Sequence, residues 1–292
     1  MKKKILILGS SGILGKNLIS ELINNFDVYH NGLSRSKIDI TKFNSLNKLI
    51  IKTDPEVIIN CAAITNIDYC ERYRKPSYDV NVLSLKNIFL IKKKNELKFK
   101  LIQISTDQMY NNKKNIKSSE AAKTFANNEY TKQKLECEKI CMDNKSLILR
   151  VNFFAYEKRN IFFWIIKMAK KNKKINLFKD IYFSPIAVTS LSKIISKIIP
   201  IFINQNINGL FNLGSTDCIS KSNFCIYILK KLNYVKCKYQ IVRSSKFLKT
   251  KRSNNMSMDI RKFQKTFKIK LPYIKKEINT YLKLVNAKIQ NK

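Results

Sequence analysis

The first half of the chain alternates short apolar runs with amphipathic stretches. Ile5–Leu8 is a continuous apolar run, the pattern of a strand buried on both faces. Lys16–Asn24 follows it with Leu18, Ile19 and Leu22 on one helical face. Val57–Asn60, Lys100–Ile104 and Ser146–Arg150 are further strand-like runs, and helical stretches lie around Phe43–Lys52, Val80–Lys93 and Tyr130–Met142. This order predicts an α/β fold, a Rossmann-type doubly wound parallel sheet with helices on both faces. Beyond residue 155 the pattern is less regular, with helices near Ile161–Lys171, Thr189–Ile203 and Lys221–Leu232, and it predicts a smaller C-terminal substrate-binding lobe. Gly209–Leu213 reads as a strand returning to the main sheet. The expected division is a dinucleotide-binding domain over 1–155, with a return over about 187–216, and a lobe drawn mainly from 156–292.

Composition narrows the function. Hydrophobic residues make up 45% of the 292 positions, enough for a substantial core. Lys and Arg number 57 against 20 Asp and Glu, a formal charge of +37. Such a balance ordinarily points to a polyanion. Only eight of the 57 are Arg, however, and the charges are spread along the whole chain. Proteins that read nucleic-acid sequence lean on Arg for bidentate contacts, so no specific nucleic-acid partner is expected. The charge serves instead to attract an anionic small substrate. Seven cysteines without a CxxC pair, and the lone His30, argue against a metal site or a disulfide framework and fit a reducing cytoplasm. Cys137 and Cys141, four apart, are expected to be half-buried helix residues. No apolar run approaches the ~18 residues of a membrane span. Met1–Lys4 followed by Ile5–Leu8 imitates a signal peptide, but the run breaks at Gly9-Ser10-Ser11-Gly12. The expectation is a cytoplasmic protein with no membrane partner, and a homodimer is left open.

Three of the six glycines are Gly9, Gly12 and Gly15, directly after the first strand and at the start of a helix. That context suits a dinucleotide loop: Gly9 for the turn, Gly12 for approach to a pyrophosphate, Gly15 for close helix packing. The plainer reading is a glycine turn with no ligand. Ser11, Ile13 and Leu14 fall inside the loop and are assigned to the cofactor with the glycines. About 20 residues on, where an NAD enzyme places an acid on the ribose, the chain reads Asn31-Gly-Leu-Ser-Arg35-Ser-Lys37. Arg35 suits a 2′-phosphate, which favours NADPH, with NADH or dual use as the alternative. The plainer reading of Arg35 is a solvated loop residue. Asp39 and Ile40 are placed to bracket the adenine.

Tyr130-Thr-Lys-Gln-Lys134 is a YxxxK, weak alone in so lysine-rich a chain. It gains weight from Ser105-Thr106-Asp107, which follows the strand Lys100–Ile104 at the carboxyl edge where doubly wound sheets bind ligands. Tyr and Lys four apart share a helical face, and an ammonium nearby favours the phenolate. Tyr130 is therefore the proposed proton donor to a substrate oxygen, and the Thr106 hydroxyl a second contact to that oxygen.

With these three elements in order, the chain resembles the extended short-chain dehydrogenase/reductases, and within them the dTDP-4-dehydrorhamnose reductase family. Pro55–Thr65 resembles the family's "PDVIVNAAAHT", which implies that Ala62, Ala63, Ile64 and Thr65 lie along the cofactor. Ser105-Thr106-Asp107 matches its "STD", Tyr130–Lys134 its "YGETK", Gly209–Leu213 its "GLYHL", and Lys251–Pro272 its C-terminal tail. Phe153 stands where the family has a substrate-contacting Trp, Ser253 replaces Pro, Cys61 replaces Ala, and Phe183-Ser-Pro185-Ile replaces "FGAPT". The resemblance implies NADPH-dependent reduction of a 4-keto-6-deoxy nucleotide sugar to the 4-hydroxy sugar, for cell-surface polysaccharide synthesis. It implies Thr106, Tyr130 and Lys134 as the catalytic set, Tyr130 and Lys134 also at the cofactor with Lys134 on the nicotinamide ribose, and Thr106, Asp107 and Phe153 at the sugar. Two other readings stand beside it. A dehydratase or epimerase shares the fold, but Gln108 replaces the acid that dehydratases carry. A non-catalytic NADP-binding subunit is opposed by the intact Thr106, Tyr130 and Lys134.

Overall fold

In the computed structural model, which describes residues 1–32, 38–113, 116–234 and 236–290, the chain divides into two units. The first comprises residues 1–106, 126–150 and 192–211. Its strands are β1 (Lys4–Leu8), β2 (Asp27–His30), β3 (Val57–Asn60), β4 (Lys100–Thr106) and β5 (Leu147–Val151). Its helices are α1 (Ile13–Leu22), α2 (Phe43–Thr53), α3 (Ile67–Arg72), α4 (Arg74–Tyr78), α5 (Ser84–Lys94), α6 (Glu129–Asp143) and the greater part of the helix Val188–Gln205. Together with Gly209–Leu213 the strands form a six-stranded sheet in the order Gly209–Leu213, β5, β4, β3, β1, β2. β1 pairs in parallel with β2 and β3, and β3 with β4. This is the doubly wound α/β sheet expected, with Gly209–Leu213 at its edge. Ile5–Leu8 and Val57–Asn60 are buried throughout, because helices cover both faces of the central strands.

The core shows why each helix lies where it does. Leu46, Leu49 and Ile50 of α2 and Leu85, Ile88 and Ile91 of α5 pack with Leu6, Leu8, Ile58 and Leu101 of the sheet. Cys137 and Cys141 of α6 join the same core and are fully buried, not half-buried as their spacing alone had implied. Burial pushes the Cys137 thiol up to about 11 and the Cys141 thiol well above its ordinary value, so both behave as small hydrophobes. All seven cysteines are free thiols. Residues 79–83, between α4 and α5, make one π-helical turn. The sequence expectation of a helix from Val80 is thereby lengthened to Arg74.

The second unit comprises residues 107–125, 151–191 and 212–292. It holds short paired strands, among them Ile175–Phe178 parallel to Tyr239–Val242, and the helices Ile161–Lys170, Lys221–Lys231, Arg261–Phe267 and Ile274–Gln290. Phe154 stacks on Phe162 and meets Phe224 and Tyr281 edge-on, an aromatic core built from four separate segments. Asn212 knits the segment after β4 into this unit: its amide donates to the Ser118 carbonyl, and its Oδ1 accepts from the Tyr110 hydroxyl at 2.8 Å. Among the described residues no helix is long and apolar enough to cross a membrane.

Candidate active site

Gly9 leaves β1 with φ +80°, and a Cβ there would stand 2.5 Å from the Ala62 nitrogen. Glycine is required on both counts. A Cβ on Gly15 would stand 2.4 Å from the Gly9 carbonyl oxygen, so α1 can pack this tightly only without a side chain at that position. Gly12 is the N-cap of α1, and no side chain caps that end. Ser11 and Gly12 are exposed and Ile13 half-exposed, whereas Leu14 is buried beneath the turn. A helix start with open N–H groups, flanked by glycines and free of carboxylates in its first turn, fits the pyrophosphate of a dinucleotide. The loop is itself clamped, since Asn31 Oδ1 accepts from the Gly9 and Ser10 amides at 3.0 and 3.2 Å. Nothing in the spacing of the motif had singled out Asn31.

Arg35 lies outside the described residues. Asp39 is exposed and accepts from the Thr41 amide and hydroxyl at 2.9 and 2.7 Å; the hydroxyl bond is the main cause that lowers its pKa. Ile40 is buried in the core with Leu6, Leu8 and Leu46.

After β3 the chain runs without regular structure through Ala62, Ala63, Ile64 and Thr65, from buried at Ala62 to exposed at Thr65. Asn60 starts this segment by donating to Gln103 Oε1 on β4 at 2.9 Å and accepting from the Ala62 amide at 3.2 Å. Burial pushes the neighbouring Cys61 thiol up to about 12, against the opposing pull of the Lys134 charge. Asn81, in the π-helical turn, takes both sides of Ile64: it accepts from the amide at 2.7 Å and donates to the carbonyl at 3.1 Å. The Asn81 side-chain Nδ2 also donates to Gln133 Oε1 on α6 at 2.7 Å, and Gln133 donates to the Ser77 hydroxyl at 2.9 Å. Asn81 and Gln133 were missed at the sequence level, where an Asn and a Gln inside helices carry no signature. Single π turns recur at functional sites.

α6 begins with Asn128 and Thr131 capping each other reciprocally, which fixes its first turn one residue before Tyr130. Tyr130 is 5% exposed and packs on Ile67 and Cys70. Lys134, 3% exposed, donates from Nζ to the Ile104 carbonyl oxygen at 3.0 Å. Thr106, 5% exposed, ends the strand two residues later. The structure therefore sets the YxxxK helix against the strand end that carries Thr106, with the lysine charge buried on that strand. One turn beyond Lys134, Glu138 accepts from the Ser105 hydroxyl at 2.6 Å and from Arg150 of β5 at 2.9 and 2.5 Å.

In the second unit Asp107 is fully buried and accepts from the Asn152 amide at 2.8 Å. Asn152 immediately precedes Phe153, which is half-buried and paired with Ile186. Lys221, which the sequence did not single out, has its pKa lowered, chiefly by burial and further by the charge of Arg252, while Asp107 opposes the shift.

Comparison with known proteins identifies the family. The dTDP-4-dehydrorhamnose reductase of Aggregatibacter actinomycetemcomitans is 26% identical over 277 residues, covering 91% of this chain and 94% of the relative. The reductase of the same name from Salmonella typhimurium is 24% identical over 280 residues, covering 92% and 93%. The crystal structure of dTDP-4-dehydrorhamnose reductase from Bacillus anthracis, solved in complex with NADP, shares the fold with a TM-score of 0.88 at 23% identity, over 97% of this chain and 100% of that one. The family model described as the RmlD substrate binding domain matches residues 2–287, nearly the whole chain, and this protein belongs to that family.

Proposed function

We propose that this chain is an NADPH-dependent reductase of a 4-keto-6-deoxy nucleotide sugar of the dTDP-4-dehydrorhamnose type, acting in the cytoplasm to supply cell-surface polysaccharide synthesis. One observation carries the reading: Tyr130 and Lys134 lie buried on one face of α6, with the Lys134 amine on the carbonyl two residues before Thr106. The glycine loop and the start of α1 hold the diphosphate of the dinucleotide, and the Ala62–Thr65 segment runs beside it. Bound there, the dihydronicotinamide supplies a hydride. Tyr130 holds a proton at its phenol oxygen and releases it to the sugar oxygen as the carbonyl is reduced. Lys134 contributes a fixed positive charge beside that phenol and a donor to the nicotinamide ribose. Thr106 donates its hydroxyl to the same sugar oxygen, where negative charge develops. In the second unit, Asp107 and Phe153 are assigned to the sugar. The working species is a single chain or a homodimer, and no specific nucleic acid takes part.

The test is direct. Purified protein is incubated with NADPH and a panel of 4-keto-6-deoxy nucleotide sugars, following NADPH absorbance and product mass. The expected result is NADPH loss with a gain of two hydrogens in one sugar. Product of unchanged mass without NADPH loss means an epimerase, loss of water means a dehydratase, and no conversion with tight NADPH binding means a non-catalytic subunit.

A further inference from the structure

Glu138, Ser105 and Arg150 form a charged cluster in which every member is buried. One carboxylate joins three elements: Glu138 on α6, Ser105 at the end of β4 and Arg150 on β5. Stability alone is a poor reason to keep it, because apolar residues of similar volume often replace a buried ion pair at no loss. Its position is more informative. Ile104, Ser105 and Thr106 are consecutive, and α6 holds the first through Lys134 and the second through Glu138. The third is the proposed oxyanion contact, and Tyr130 lies one turn before Lys134 on the same helix. The rigid Arg150 fork meets both carboxylate oxygens, so Glu138 has little rotational freedom.

From this geometry we infer that Glu138 is a positioning residue for the reductase reaction: through Ser105 and Arg150 it fixes the Tyr130–Lys134 helix in register with Thr106. The inference rests on the reductase reading above. A misplacement of about 1 Å at such a constellation costs on the order of a hundredfold in rate.

Two variants test it. Ser105→Ala removes one hydroxyl and leaves the ion pair. The double variant Glu138→Leu, Arg150→Met removes both charges together and avoids an orphaned buried cation. For both, the expected result is kcat down by about tenfold or more, with a smaller rise in KM for NADPH, since Lys134 also reaches the nicotinamide ribose, and a thermal melt close to the parent. The alkaline limb of the pH–rate profile should also move to higher pH, as Lys134 loses its fixed place beside Tyr130. Parent kcat and an unmoved profile in the folded double variant would overturn the inference and make the cluster plain packing. Should the double variant lose its melt, Ser105→Ala decides by the same criteria. Failure of the parent enzyme to reduce any sugar in the panel would instead count against the reductase reading, so the two failures are distinguishable.

Discussion

Tyr130→Phe removes one oxygen and keeps the ring. That ring packs on Ile67, Cys70 and Ile64, contacts that phenylalanine reproduces. The helix start is untouched, because its cap is made by Asn128 and Thr131. Removing the oxygen costs at most about 1 kcal/mol of stability, or a few degrees of melting temperature in a chain of this size. The dinucleotide is held mainly by the loop of Gly9–Gly15, clamped by Asn31, so NADPH affinity should move by less than about twofold. Turnover is another matter. General-acid catalysis contributes about 10²–10⁴, which is about 2.7–5.4 kcal/mol of activation free energy. The expected result is therefore kcat down by that factor with folding and cofactor binding near the parent values. Single-turnover NADPH oxidation measures the first, fluorescence titration the second and thermal melting the third. Reduction of the sugar at the parent rate would refute the assignment and make the YxxxK an ordinary helix face.

Four further outcomes follow from the same structure. Gly15→Ala drives a methyl against the Gly9 carbonyl and the Ser10 Cα, both backbone, and should cost about 1–3 kcal/mol in stability and weaken NADPH binding, read by melting and titration. Arg35→Ala should weaken NADPH about ten- to hundredfold more than NADH, and equal losses would remove Arg35 from the 2′-phosphate. Glu277 is buried, accepts from the Ala187 amide and the Ser190 hydroxyl, and has its pKa raised chiefly by burial. The folded state then holds the proton more tightly than the unfolded chain, so stability declines as pH rises from the ordinary glutamate value of about 4.3 through the raised folded value; Glu277→Gln should flatten that slope in melts across pH. DNA binding should be weak, without sequence preference and abolished by moderate salt; a nanomolar selective complex in a gel shift would reverse the reading of the lysine excess.

The central sheet was legible because its strands are buried on both faces and so appear as unbroken apolar runs. β2 was not, since Asp27–His30 lies at the sheet edge and none of its four residues is buried. α3 and α4 were not either. Asp68, Glu71, Arg72, Arg74 and Lys75 give them no apolar stripe, and only Ile67, Cys70 and Ser77 are buried. Glycine spacing and the order Thr106, Tyr130, Lys134 marked the site residues because each carries a chemical requirement at a fixed interval. Their supports carry none. Glu138 and Arg150 look in sequence like any solvated charges, and only the sheet and α6 together show that they are buried partners. The two-residue strands of the second unit, such as Phe153–Phe154 with Ile186–Ala187, depend on distant pairing and leave no periodic trace.

The π-helical turn at Asp79–Leu83 has an evolutionary consequence. Residues 74–94 form one uninterrupted helical run, and the wide turn inserts a single residue into its count. Each residue turns a helix by about 100°, so the insertion resets the phase between the end that carries Ser77 and the end that carries Leu85, Ile88 and Ile91. Deleting any one residue between Tyr78 and Ser84 would let the run relax to an ordinary α-helix. Either the apolar stripe would then rotate off the sheet, or Asn81 would rotate away from Ile64 and Gln133. Substitutions here can be neutral one at a time, but a change of length cannot. In descendants of this chain the spacing between Ser77 and Leu85 should therefore outlast the identities of the residues that fill it.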